Sequence, residues 1–243
     1  MNSIRQGVII PVYNHGDTVG PVVDYLVGLK LPVILVDDGS YLKTKFALNK
    51  IEKKYPDDVV LLTRPENGGK GAAVLTGIEM AHNMGLTHVL QIDADAQHDY
   101  TRTEFFLQKS MVDPRALIGG CPEFDASVPT SRLKGRKITT AMVSVETLSH
   151  DIKDAMCGFR VYPVEDVFRL KDRINYLRMG FDIEILVKLH WAGVPMEFYP
   201  VKVRYPEGGT SNFHMVRDNI EISELHTGLF FGMLFRKIRG LDV

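Results

Sequence analysis

Residues 33–40 form the stretch VILVDDGS, in which four aliphatic residues precede two carboxylates, a glycine and a serine. A short continuous apolar run is typical of a strand that is buried on both faces of a parallel sheet. Polar residues directly after such a strand lie at the carboxyl edge of the sheet, where open α/β proteins bind ligands. The stretch therefore predicts a buried strand that brings Asp37 and Asp38 to a functional edge.

The same pattern recurs along the first half of the chain. Further strands are predicted at 7–12, 59–62, 88–92 and 116–119, and helical patterns lie between them near 18–29, 43–54, 69–84 and 102–112. Later residues predict helices at 138–148, 181–192 and 216–239 and a strand at 194–203. Alternation of strands and helices predicts an α/β fold with a mostly parallel sheet covered by helices on both faces. We expect one domain at 1–215 and a C-terminal amphipathic helix at 216–243.

Composition is that of an ordinary globular protein. Of 243 residues, 29 are Lys or Arg, 30 are Asp or Glu, and 45% are hydrophobic. This balance excludes collagen-like, low-complexity and charge-expanded disordered chains, and it argues against nucleic-acid binding, which usually needs a basic excess. Two cysteines are too few for a disulfide framework, and the sequence shows no signal peptide or membrane-spanning run. We therefore expect a cytoplasmic protein.

The most specific polar cluster follows the predicted strand at 88–92. Residues 93–99 form the stretch DADAQHD, which places Asp93 and Asp95 two positions apart. Paired carboxylates at a strand end suit Mg²⁺ or Mn²⁺ bound to a diphosphate, and Gln97 offers a third, neutral oxygen. The alternative is a turn and capping cluster without metal, because Asp is common in turns.

Two further segments combine charged residues with glycine. Residues 68–71, GGKG, lack the spacing of a phosphate loop. They predict either a helix N-terminus near a phosphate, with Lys70 as a point charge, or plain helix capping. In residues 154–160, DAMCGFR, Asp154 is a candidate general base or acceptor-orienting group. The alternative for Asp154 is a helix cap that is ion-paired to Arg160.

A basic cluster precedes the predicted helix at 138–148. Arg132 and Arg136 lie four residues apart and can share one helix face, with Lys134 and Lys137 beside them. The cluster predicts a site that binds an acceptor phosphate. The alternative is a basic helix face that contacts only solvent.

The C-terminal helix has an apolar run at 229–235 that is followed by Arg236, Lys237 and Arg239. An apolar stretch with a basic end is suited to the interface of a membrane with anionic headgroups. The alternative is a helix that packs on the catalytic domain or on a second subunit.

Taken together, these motifs resemble the family 2 nucleotide-sugar glycosyltransferases, which have the GT-A fold. The matching pieces follow the family's order over residues 7–215: PVYN at 11–14, VDDGS at 36–40, NGGKG at 67–71, DAD at 93–95, DAMCGFR at 154–160 and GTS at 209–211. The branch that they resemble is that of the dolichyl- and polyprenyl-phosphate sugar synthases. Residues 125–160 and 226–234 are also similar to the glycosyltransferases of bacterial aryl-polyene-type lipid clusters.

The resemblance implies a Rossmann-like GT-A sheet and a role for each matching residue. Asp93, Asp95 and Gln97 would hold the metal, with Asp95 and Asp154 as catalytic residues. The implied donor-binding residues are Pro11, Tyr13, Asn14, Asp37, Asp38, Lys70, Asp93 and Arg204. The expected acceptor-binding residues are Arg160 and Ser211 of the matching pieces, together with Arg132, Lys134 and Arg136 of the basic cluster described above. Where these synthases have a basic residue after Gly-x-Ser, this chain has the neutral Asn212.

The expected function is therefore that of an inverting, metal-dependent glycosyltransferase in cell-envelope lipid biosynthesis. Its expected partners are a UDP- or GDP-linked sugar and a lipid or polyprenyl-phosphate acceptor. A membrane surface at the inner face of the cytoplasmic membrane and a second copy of the chain are further candidates. Two alternatives are a sugar-1-phosphate nucleotidyltransferase, which would need a Gly-rich phosphate loop after the first strand, and a non-catalytic sugar-nucleotide-binding scaffold, which would not need the Asp93 and Asp95 pair.

Overall fold

A computed structural model describes residues 3–124, 128, 130–204 and 215–243, without the side chains of 131, 132, 215 and 216. Its strands are β1 (Gln6–Val12), β2 (Val33–Asp38), β3 (Val59–Arg64), β4 (His88–Gln91), β5 (Leu117–Phe124), β6 (Arg160–Pro163) and β7 (Met196–Val203). Its α-helices are α1 (Val19–Gly28), α2 (Leu42–Lys54), α3 (Lys70–Asn83), α4 (Thr103–Val112), α5 (Thr130–Glu146), α6 (Val164–Leu170), α7 (Phe181–Trp191) and α8 (Met215–Ile238).

The strands form one sheet in the order β3-β2-β1-β4-β6-β5-β7. Strands β3, β2, β1 and β4 are parallel to one another, and β5 is parallel to β7. Strand β6 lies between β4 and β5 and runs antiparallel to both. The predicted α/β fold with a mostly parallel sheet is confirmed. The sequence does not predict β6 as a strand, because it has four residues, begins with an arginine and ends with a proline. Pairing of Val161 with both Leu90 and Ile118 holds it in the sheet.

Helices cover both faces of the sheet. Ile9 of β1 packs in one apolar cluster with residues of α3, α7 and α8, and its neighbour Ile10 packs in a second cluster with residues of α1 and α4. Neighbouring strand residues point to opposite faces, so both faces of β1 are buried. This arrangement explains why the central strands are continuous apolar runs rather than alternating ones.

The carboxyl ends of β1, β2 and β4 lie side by side. Val12 pairs with Asp37 across β1 and β2, and Ile9 pairs with Gln91 across β1 and β4. Hydrogen bonds then join the loops that follow: Asn14 N donates to Ser40 Oγ at 3.0 Å. The sheet thereby brings three polar segments that are distant in sequence to one edge.

Helix α8 packs along the body of the protein. Its inner face buries Leu225, Leu229 and Met233. Next to them, His226 Nδ1 lies 2.7 Å from Glu146 Oε1 of α5, and both side chains are buried. The helix start agrees with the predicted boundary at 215/216, but a division into two units stays a prediction. Within the described ranges, no helix is long and apolar enough to cross a membrane.

The contact between α3 and β1 gives a test of the packing. A Cβ at Gly77 would lie 2.6 Å from Ile9 Cγ2, and Ile9 is fully buried. Gly77→Ala should therefore lower the free energy of unfolding by about 1–3 kcal/mol through overpacking. Gly135→Ala is the matched control, because a Cβ at that helical position meets no atom within 4 Å. It should raise stability by about 0.5–1 kcal/mol. Urea denaturation measures both, and equal or greater stability of Gly77→Ala would contradict the close approach.

Candidate active site

A cavity of about 300 Å³ opens at the carboxyl edge of the sheet. The loops after β1 and β4, the start of α3, residues 178–179 and the first turn of α8 form its wall. The polar or charged side chains that line it are Tyr13, His15, Asp38, Asn67, Lys70, Asp93, Asp95, Arg178, Arg217 and Asp218. The structure thus brings Tyr13, Asp38, Lys70, Asp93 and Asp95, all predicted from the sequence, into one cavity, and Pro11 also lines it.

Asp38 lies at the end of β2 and organises the start of α3. Its Oδ1 accepts hydrogen bonds from Arg64 Nε at 2.8 Å and from Gly68 N at 3.0 Å, and its Oδ2 accepts one from Gly69 N at 2.8 Å. These two backbone N–H groups, which lie just before α3, therefore bind an internal carboxylate. Because Oδ2 can accept one more hydrogen bond, Asp38 stays a candidate contact to a donor base or ribose.

Lys70 joins two carboxylates at the cavity wall. Its Nζ lies 2.9 Å from Asp93 Oδ1 and 2.9 Å from Asp182 Oδ2. Burial opposes its charge, but Asp182 and Asp93 outweigh burial and raise the pKa of Lys70 above its ordinary range. Gly158 permits this packing, because a Cβ there would lie 2.7 Å from Asp93 Oδ2. Lys70 is therefore compensated inside the protein and is not a free charge for a phosphate.

Asp93 and Asp95 differ in their electrostatic surroundings. Burial by itself would raise the pKa of Asp93, but the charges of Lys70 and His98 outweigh it and lower that pKa. In contrast, burial and the neighbouring charge of Asp93 raise the pKa of Asp95. A bound cation would relieve the repulsion that acts on Asp95.

The two carboxylates fit a divalent metal that takes further oxygens from its substrate. Among the residues that the structure describes, no group of three or more His, Cys, Asp or Glu side chains has the arrangement of a metal site. Mg²⁺ commonly binds one or two carboxylates together with substrate phosphates and water, so a pair is sufficient. Gln97 donates its backbone N–H to Asp95 Oδ1 at 3.0 Å, and its role as a third ligand stays a prediction.

Asp154 lies outside the cavity lining. Its Oδ1 is 2.5 Å from Arg136 Nη1 and also accepts hydrogen bonds from the backbone N–H groups of Met156 and Cys157, at 2.9 and 2.7 Å. The side chain is buried. These contacts make Asp154 an anchor between α5 and residues 156–157, and they do not support its role as a general base. Its ionic partner is Arg136, not Arg160 as the alternative prediction had it.

Arg160, the first residue of β6, is completely buried. Its Nη1 donates to Asp182 O at 2.8 Å and its Nη2 donates to Ala155 O at 2.9 Å. A guanidinium without exposed surface cannot contact an acceptor directly. The structure therefore does not support Arg160 as an acceptor-binding residue and gives it a role in holding β6 to the start of α7.

Several other predicted residues shape the loops around the cavity. Asn14, at φ +61°, accepts a hydrogen bond from Tyr41 N through its Oδ1, and Asp37 Oδ1 accepts one from Ser40 N, each at 2.9 Å. Arg204 N donates to Gln97 O at 3.0 Å. None of these three predicted side chains is among the residues described as lining the cavity.

Two of the predicted acceptor residues, Ser211 and the side chain of Arg132, lie outside the described residues. Lys134 lies exposed on α5.

The sequence analysis missed four charged residues at this site. Asp182 holds Lys70, and Arg178, Arg217 and Asp218 line the cavity. Asp182, Arg217 and Asp218 lie in the first turns of predicted helices, and Arg178 lies between two predicted elements. No motif marks them, because the chain folds them against β4 and α3 only through long-range packing.

The sequence model of glycosyl transferase family 2 matches residues 7–168. This range contains all of β1 except Gln6, the whole of β2 to β6, and the cavity residues from Pro11 to Asp95. The chain belongs to glycosyl transferase family 2. It is therefore a glycosyltransferase, and the predicted family and enzyme class are confirmed.

One relative and two solved structures are similar to this family 2 member. It is 26% identical over 247 residues to a dolichyl-phosphate beta-glucosyltransferase of Dictyostelium discoideum, covering 91% of this chain and 75% of that protein. The mannosyltransferase PcManGT of Pyrobaculum calidifontis, solved with GDP-Man and Mn²⁺, is 20% identical with a TM-score of 0.60, covering 86% of this chain and 59% of that one. Glucosyl-3-phosphoglycerate synthase of Mycobacterium tuberculosis, solved with Mn²⁺, UDP-glucose and phosphoglyceric acid, is 12% identical with a TM-score of 0.68, covering 95% and 80%. Both structures support the GT-A fold.

The contact between Arg136 and Asp154 gives a test of the anchor. Arg136→Gln should lower the free energy of unfolding by about 1–2 kcal/mol, because it leaves a buried carboxylate without its ionic partner. Lys134→Gln on the exposed side of the same helix removes the same charge and should change stability by less than about 0.5 kcal/mol. Chemical denaturation of both variants measures the difference. Equal stability would show that the pair does not anchor α5.

Proposed function

We propose that this family 2 member transfers a sugar from a UDP- or GDP-linked donor to a phosphate-bearing polyprenyl lipid, with inversion at the anomeric carbon and with a divalent metal. The observation that carries the proposal is the pair Asp93 and Asp95 in a cavity that also holds Asp38 and Tyr13. The named activity of the Dictyostelium relative supports a dolichyl-type acceptor, and the two solved structures support a nucleotide-sugar donor with Mn²⁺.

The donor would occupy the cavity along the carboxyl edge of the sheet. Asp38 Oδ2 can accept a hydrogen bond from a base or ribose, and the ring of Tyr13 offers an aromatic face. The diphosphate would then point toward Asp93 and Asp95, since these residues follow β4, the strand that pairs with β1. This orientation places the sugar beyond the two carboxylates.

Asp93 and Asp95 would hold Mg²⁺ or Mn²⁺. When bound, the metal supplies positive charge that stabilises the leaving diphosphate. Asp93 is kept ionised by Lys70, as its lowered pKa indicates, so it is ready to bind a cation. Asp182 shares Lys70 with Asp93 and so prevents Lys70 from neutralising Asp93 completely.

A phosphate acceptor agrees with the place of Asp154 outside the cavity. An oxygen of the acceptor phosphate would form the new bond to the anomeric carbon as the bond from that carbon to the diphosphate oxygen breaks, which inverts the centre. A phosphate monoester has a second pKa of about 6, so it is largely ionised at neutral pH and needs no general base. Lys134 and Lys137, exposed on α5, together with Arg132, are the proposed acceptor contacts.

The membrane surface proposed for this protein lies on α5 and α8. Exposed apolar side chains gather there: Ile138, Met142 and Val145 on α5, and Phe230, Phe231, Leu234, Phe235 and Ile238 on α8. Lys237 and Arg239 lie at the end of α8 and complement anionic headgroups. The inner face of α8 packs on the protein, as the alternative for this helix had it, and its outer face is exposed. Membrane contact at that outer face is part of the present proposal.

Asp95→Asn tests the metal proposal. The variant should lose at least about a hundredfold in transfer rate with Mn²⁺ or Mg²⁺, because one of two metal-binding carboxylates is gone. Its melting temperature should stay close to that of the wild type, since within the described residues Asp95 accepts a single hydrogen bond, from Gln97 N. The assay follows label transfer from UDP- and GDP-sugars to polyprenyl phosphate.

Asp57→Asn is the matched control, because it makes the same chemical change at a residue that is exposed in the turn before β3. It should transfer sugar at the wild-type rate. Wild-type activity in Asp95→Asn, or activity of the wild type that survives full chelation of metal, would refute the metal assignment.

Co-sedimentation with vesicles tests the membrane surface. The double variant Phe231→Ser/Phe235→Ser should lose roughly tenfold or more in partition to phosphatidylglycerol vesicles, because it removes two exposed aromatic rings from the outer face of α8. Point changes are preferable to truncation, since Leu229 and Met233 are buried and a shortened helix would open the core.

Phe46→Ser is the control, since Phe46 is 76% exposed on α2. Helix α2 packs on the face of the sheet opposite to that of α8. Its partition should be unchanged. If the double variant still binds vesicles but shifts from dimer to monomer in sedimentation velocity, the surface is an interface between copies of the chain instead.

A further inference from the structure

The lysine and arginine side chains of the cavity differ in how available their charges are. Among the lining residues that the structure describes, these cations are Lys70, Arg178 and Arg217. Lys70 lies between the carboxylates of Asp93 and Asp182, so its charge is compensated. A ligand with several negative charges would therefore have to find its protein cations in the two arginines.

Arg178 is oriented by neutral groups. Its Nη1 donates to Asn67 Oδ1 at 2.7 Å and its Nη2 donates to Asn67 O at 3.0 Å. A guanidinium has five N–H donors, so three stay available after these two hydrogen bonds. Because Asn67 is uncharged, the positive charge of Arg178 is not offset by this partner.

Arg217 faces the cavity from the first turn of α8. The side chain is exposed, and within the described residues it makes no hydrogen bond and no ion pair. Arginine is weakly hydrated and presents a planar fork that matches phosphate oxygens in pairs. An exposed arginine at the wall of a cavity, without a partner among the described residues, is thus available to an anionic ligand.

Internal hydrogen bonds hold together the two backbone segments that carry these arginines. Glu221 of α8 accepts a hydrogen bond from Gly180 N at 3.1 Å, which ties the helix of Arg217 to the loop of Arg178. The same loop is held by the buried Glu184, whose Oε2 accepts hydrogen bonds from Asn175 N and Tyr176 N at 2.9 and 2.7 Å. The backbone segments that carry the two arginines are therefore held together before a ligand arrives, which lowers the entropic cost of bringing the two side chains to one ligand.

We infer that Arg178 and Arg217 bind the diphosphate of the nucleotide donor. The inference rests on the proposed function, because it takes a sugar nucleotide as the ligand of this cavity. The amides of Gly68 and Gly69, which the sequence offered as a phosphate site, are bound to Asp38. The arginines supply the N–H donors and positive charge that those amides and Lys70 do not. They lie on the α7 and α8 side of the cavity, and the proposed acceptor lysines lie on α5, outside its lining.

Calorimetric titration of UDP and GDP in the presence of Mn²⁺, with uridine and guanosine as ligands without phosphate, tests the assignment. Arg217→Gln should weaken binding of the preferred nucleoside diphosphate about tenfold and leave nucleoside binding unchanged. Arg217→Lys, which keeps the charge and loses the fork, should fall between the two. Arg178→Gln should weaken the diphosphate to a similar degree. Because Arg217 has no hydrogen-bond or ion-pair partner within the described part of the chain, its variants should keep the wild-type melting temperature.

Lys50→Gln is the charge-matched control, since Lys50 is exposed on α2 away from the cavity lining, and it should bind as the wild type does. Wild-type affinity of both Arg217→Gln and Arg178→Gln for the diphosphate would overturn the inference while the proposed function stands. An unchanged diphosphate affinity with a raised KM for polyprenyl phosphate would assign the arginines to the acceptor and overturn it as well. A wild-type chain that binds neither UDP nor GDP would overturn both the inference and the proposed function.

Discussion

The half-buried ammonium group of Lys70 connects the parts of this protein that form the site. It binds Asp93 after β4 and Asp182 at the start of α7, and Asp182 in turn accepts a hydrogen bond from Arg160 of β6 through its backbone oxygen. Burying such charges costs free energy unless each has its partner, and removing one partner costs several kcal/mol. This network therefore fixes where α3, α7 and β6 meet the carboxyl edge of the sheet.

A consequence is that charges around the cavity fall into two classes. Those of Lys70, Arg136 and Arg160 are used inside the protein, as is most of the hydrogen-bonding capacity of Asp38. The second class comprises Asp95 and the arginines that face the cavity. The pKa of Asp95 is raised by burial and by the charge of Asp93. In the proposed function, the arginines of this second class meet the external diphosphate. Asp95 holds the external cation together with Asp93, which shares Lys70 with Asp182.

Helix α8 connects the site to the surface of the protein. Its first turn supplies Arg217 to the cavity wall, its middle packs on α5 through the buried contact of His226 with Glu146, and its last turns expose Phe231 and Phe235. At about 1.5 Å per residue, the exposed aromatic residues lie some 25 Å along the helix from the cavity. One rigid element thus spans the distance between the proposed donor site and the proposed membrane contact.

Local sequence patterns predicted the fold class, the parallel strands β1 to β4 and the polar segments that follow them. This was possible because buried parallel strands require continuous apolar runs, as at 33–36, and because the residues after them must lie at one edge. Asp38, Lys70, Asp93 and Asp95 were identified from these patterns, and Tyr13 from the resemblance to family 2. Which charges are available depends on the tertiary structure. Lys70 pairs with Asp182, Asp154 with Arg136, and Arg160 with Asp182, whose Oδ1 lies 3.4 Å from Arg160 Nη1; these partners are 112, 18 and 22 residues away in sequence. The partner of a charge depends on long-range packing, and no local spacing in a sequence records it.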